Sequence, residues 1–81
     1  MNLEDEEKAL RKANDDIVEA DRRILAQEER LKELERDGHD TAVGFALLYT
    51  MREARKAMEG HRDQIIEAID LYKKGILKGT D

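Results

Sequence analysis

The 81-residue chain has no cysteine, no proline and no tryptophan, and its aromatic residues are one Phe and two Tyr. Without cysteine there are no disulfides, no thiolate nucleophile and no thiolate zinc site, and a reducing, cytoplasmic setting is expected. Without proline nothing forces a break in a helix. No run approaches the roughly 18 apolar residues of a membrane span, and the opening Met1 to Glu7 is acidic, so neither a secretory signal nor a membrane association is expected.

What is present is 43 % charged and 40 % hydrophobic residues with five isolated glycines, the composition of long helices in one small domain. Residues 1–40 carry 14 acids and 8 bases, whereas residues 41–81 carry 6 acids and 7 bases. The acidic first half argues against direct nucleic-acid binding, which needs clustered Lys and Arg. Lys73, Lys74 and Lys78 form the one small basic cluster.

Large aliphatic residues recur every seven positions at Leu3, Leu10, Ile17, Ile24 and Leu31, the a positions of a heptad whose d positions are Glu6, Ala13, Ala20, Gln27 and Leu34. A first helix over about 2–37 follows. Gly38 in the Asp37-Gly38-His39-Asp40-Thr41 segment suits a left-handed helix stop, with Asp40 or Thr41 capping the next helix, so a turn is expected at 38–40. The repeat resumes with Gly44, Met51, Met58, Ile65 and Tyr72 at a, and Leu47, Ala54, His61, Ala68 and Gly75 at d. A second helix over about 41–74 and a flexible tail over 75–81 complete the single domain.

Folding back brings a residues of one helix opposite d residues of the other, in layers such as Leu31/Leu47, Gln27/Met51, Ala20/Met58, Ile17/His61 and Glu6/Tyr72, mostly large against small. Arg55 and Arg62 then lie opposite Asp21 and Glu28. The expected fold is all-α, an antiparallel two-helix coiled-coil hairpin dimerising into a four-helix bundle. A three-helix bundle is the alternative, because Asp16 with Glu19 resembles a capping box and Gly60 weakens a helix interior.

Seven large apolar residues remain outside that seam: Val18, Leu25, Phe45, Leu48, Ile66, Ile69 and Ile76. All take b or e positions, which share one flank of an antiparallel pair, and burying each contributes roughly 1.5–3 kcal/mol. They are the candidate surface for a homodimer, or for docking another protein. A different reading makes the chain a small acidic inhibitor of a nucleic-acid-processing enzyme, acting through Glu28, Glu29, Glu33 and Glu35.

No constellation for catalysis, metal or cofactor binding emerges. His61 reads as a seam residue, since no Glu-x-x-His pair accompanies it, and His39-Asp40 reads as turn and cap. Phosphate-binding loops and nucleophile elbows are missing, and Met51 and Met58 read as core filling.

The Arg22-Arg23-Ile24-Leu25-Ala26-Gln27-Glu28-Glu29-Arg30-Leu31 run, the Leu34-Glu35-Arg36-Asp37-Gly38-His39-Asp40-Thr41 turn, Leu47-Leu48 and His61-Arg62-Asp63 lie within residues 15–66. This stretch resembles small uncharacterised helical-hairpin proteins of alphaproteobacteria that share the Gly-His-Asp-Thr turn. The resemblance implies a hairpin fold and attaches no activity to any residue.

Overall fold

The computed structural model describes residues 2–77; the expected end of the tail, with Lys78, lies outside the described residues. Two helices make up the fold, α1 at Leu3–Arg36 and α2 at Ala42–Lys73, packed against each other in a rod of 59 × 16 × 15 Å. Neither Asn14–Asp16 nor Gly60 interrupts a helix, so the three-helix alternative is not what the chain adopts. No helix is long and apolar enough to cross a membrane among the described residues.

The helix ends follow from local chemistry. Asn2 caps α1 by accepting a hydrogen bond from the Asp5 backbone N–H at 3.0 Å, ahead of the acidic first turn Glu4, Asp5 and Glu6, which complements the helix dipole. At the other end Gly38 has φ +76°, its N–H donates to the Glu35 carbonyl, and the His39 N–H donates to the Leu34 carbonyl. This is a Schellman stop, which a residue bearing a Cβ would strain. Asp40 then accepts from the Ala42 N–H at 2.9 Å and opens α2, while the Thr41 side chain makes no cap bond. Gly75, at φ +75°, closes α2 by the same device.

The seam of α1 has the expected composition: Glu6, Ala13, Ile17 and Leu31 are buried, and Leu3, Leu10, Ala20, Ile24, Gln27 and Leu34 are half-buried. The seam of α2 differs. Its a positions Gly44, Met51, Met58, Ile65 and Tyr72 face α1, but the second row is Leu48, Arg55, Arg62 and Ile69 instead of the exposed Leu47, Ala54 and His61, with Ala68 half-buried beside Ile69. Leu48 is 4 % exposed where its neighbour Leu47 is 50 % exposed, and His61 is exposed rather than seated opposite Ile17. The seam of α2 therefore follows the a and e positions in place of a and d, a partial turn of the helix that keeps the a row inside.

Two contacts account for the turn. Gly44 lies so close to α1 that a Cβ there would stand 2.5 Å from Leu31 Cδ2, and Gln27 Nε2 donates to the Gly44 carbonyl at 3.0 Å. Further along, Arg55 lays its stem across the seam and ion-pairs with Asp21, which favours the long amphipathic side chain over Ala54 at that row. Near the open end, Ala13, Ile65 and Ile69 form a buried cluster, with Leu3, Ala9 and Leu10 packed on it.

Candidate interaction surface

The turned helix redistributes the seven apolar residues read from the sequence. Leu48 and Ile69 belong to the hairpin's own core at 4 % and 8 % exposure, so they are no part of an outer surface. Val18, Leu25, Phe45 and Ile66 stay exposed, Val18 by 67 %, and Ile76 is exposed just beyond the end of α2. Val18 and Leu25 are seven residues apart on α1, and Phe45 and Ile66 stand in line with Arg52 and Glu59 at seven-residue steps on α2. All four lie on the flank where ion pairs bridge the helices.

Those bridges are Arg55 with Asp21 and Arg52 with Glu28, the latter at 3.1 Å, and Arg55 also reaches Glu59. The hydrogen bond to Asp21 raises the Arg55 guanidinium pKa further above its ordinary value. Arg62 departs from its expected pairing with Glu28. Its Nη2 lies 3.5 Å from Asp63, while its Nε is buried and, alone among buried side-chain nitrogens and oxygens of the described residues, has no hydrogen-bond partner. The flank thus alternates apolar side chains with charges of both signs. Arg52 and Glu59 escaped the sequence reading, although their seven-residue spacing from Phe45 and Ile66 was the signal that could have found them.

On the other flank, Ala20, Met51, Ala54 and Met58 floor an open groove of about 290 Å³ rimmed by Asp16, Glu19 and Arg23. The groove lies where small side chains, Ala20 in the seam and Ala54 beside it, leave the middle of the hairpin thin. Arg22 donates two hydrogen bonds to Glu19 and Arg23 one, and the Arg22 bond is the main cause that holds the Glu19 carboxyl below the ordinary carboxylate range. Glu19 is thus matched by two guanidinium groups and Asp16 pairs with Lys12, so both rim acids already have cationic partners.

The acidic set is partly neutralised too. Glu28 pairs with Arg52 and Glu29 with Lys32, whereas Glu33 and Glu35 are exposed. No group of three or more His, Asp or Glu side chains able to hold a metal ion occurs among the described residues. Val43, Leu47 and Tyr49 add exposed apolar area around the first two turns of α2; the sequence reading places Leu47 in the seam and does not single out Val43 or Tyr49. No protein-family model matches the chain, and neither a curated protein nor a solved structure does.

Proposed function

We propose that the chain is a non-enzymatic interaction module that associates with a second copy of itself through the flank bearing Val18, Leu25, Phe45 and Ile66, giving a four-helix bundle. The observation that carries this reading is the placement of these four apolar side chains, 46–67 % exposed, on one flank of a hairpin with little core of its own. The accessible surface is 6164 Å², against about 5,000 Å² for a compact monomer of this mass. Burying each half-exposed aliphatic or aromatic group contributes on the order of 1 kcal/mol, which is a large share of the stability of so small a domain. A cytoplasmic setting and kinship with the bacterial hairpin proteins that share the turn are part of the same reading. The acidic-inhibitor reading is weaker, because two of its four carboxylates are already matched by Arg52 and Lys32.

Light scattering over a concentration series tests it, with the wild type beside the Val18→Glu, Ile66→Glu variant. Both substitutions sit at exposed positions, so the hairpin itself is preserved and the helical circular dichroism of the variant should persist. The expected result is twice the chain mass for the wild type and the chain mass for the variant. A wild type that stays monomeric throughout the series overturns the reading.

A further inference from the structure

The charges woven into the flank specify how two copies would meet, an inference that rests on the self-association just proposed. The Arg55–Asp21 ion pair sets these two residues at the same height along the hairpin. On α1 that height lies midway between Val18 and Leu25. On α2 it lies midway between Arg52 and Glu59, and equally midway between Phe45 and Ile66. One point is therefore the centre of three pairs at once, and each pair consists of residues that would attract one another.

We propose that the second copy docks antiparallel about a two-fold axis perpendicular to the rod and passing through the Arg55–Asp21 pair, with α1 on α1 and α2 on α2. A two-fold contact is self-complementary, so each pair occurs twice. Val18 of one copy meets Leu25 of the other, Phe45 meets Ile66, and Arg52 meets Glu59. On the axis Asp21 comes opposite Asp21 and Arg55 opposite Arg55, like charges that each keep the in-copy partner and have the opposite charge diagonally across. Arg62 stands one heptad from Arg55 toward the open end, and Glu28 stands one heptad from Asp21 toward the turn, so the axis exchanges their heights. The guanidinium whose Nε has no acceptor within the hairpin then comes level with Glu28 of the second copy, diagonally across the interface from α2 to α1, and that carboxylate is partly exposed.

The competing two-fold arrangement, with the axis along the rod, sets α1 against α2 at equal heights. Leu25 would then face Arg52 and Val18 would face Glu59, leaving apolar groups against charges in a closed interface, which is unfavourable although Asp21 would face Arg55 of the other copy. Beyond Asp21 and Arg55 on the axis, the perpendicular arrangement brings one further like-charged pair together, Arg11 with Lys32, both on exposed positions from which long side chains diverge into water.

Engineered disulfides separate the arrangements, and the chain has no cysteine of its own to interfere. The Val18→Cys, Leu25→Cys variant cannot bridge within one chain, because seven helical residues span about 10 Å. Under mild oxidation it is expected to double its mass on a denaturing gel, while Val18→Cys, Glu59→Cys is not. Covalent dimers from the second variant in place of the first would overturn the antiparallel register and leave self-association standing. Monomeric wild-type mass by light scattering would remove both.

Discussion

Gly44 and Gly60 occupy the same helix in opposite surroundings, and the same kind of substitution should move stability in opposite directions. A side chain at Gly60 would meet nothing within 4 Å, and the backbone there is ordinary helix, so Gly60→Ala should stabilise by about 0.5–1 kcal/mol through the lower entropy of the unfolded chain. At Gly44 the space is taken by Leu31, only 3 % exposed, with Gln27 beside it. Gly44→Val should therefore cost about 1–3 kcal/mol by overpacking, and it puts at risk the Gln27 hydrogen bond to the Gly44 carbonyl. Urea denaturation of the two variants at one fixed protein concentration reads both signs. If Gly44→Val matched Gly60→Ala, the close approach of α2 to Leu31 would be refuted.

At the scale of the helix, Leu47 and Leu48 are the adjacent pair that reports how α2 is turned. Leu48→Ala should cost about 2–5 kcal/mol, as truncation of a buried leucine does, whereas Leu47→Ala should alter hairpin stability by less than about 1 kcal/mol. The opposite order in thermal melts would restore the a/d seam. Much of the architecture was legible in the residues: both helices, the Gly38 turn, the whole seam of α1 and the a row of α2. The rotation of α2 was not, because a heptad label fixes a seven-residue step and leaves the intervening step as three or four. With leucine at both 47 and 48, side-chain type could not choose between them. At the next turn it chose wrongly, since Ala54 is the apolar residue and Arg55 occupies the seam. That outcome depends on Asp21 lying across the hairpin, a pairing that the folded-back register already predicts, but with Arg55 at the edge of the seam rather than in it. The same slip moved Leu48 and Ile69 from the outer flank into the core and left Val18, Leu25, Phe45 and Ile66 as the surface.

For the whole molecule, a long thin rod with an uncovered flank links stability to concentration. If folding and pairing are coupled, the melting midpoint should rise as protein concentration rises, and the Val18→Glu, Ile66→Glu variant should lose that dependence. Melts recorded across a hundredfold concentration range test the link, and a midpoint independent of concentration in the wild type would count against pairing.

The Gly38 turn has a further consequence, for the order in which the rod assembles. Leu31 and Gly44, on either side of it, are brought together by closing a short loop, whereas Ala13 meets Ile65 and Ile69 only after a far longer stretch of chain has been brought round. Short closures cost less entropy and come first, so the two strands of the rod should zip from the turn toward the open end. Truncating Leu31 should then mainly slow refolding, and truncating Ile65 should mainly speed unfolding, a division that the two arms of a chevron plot would display directly.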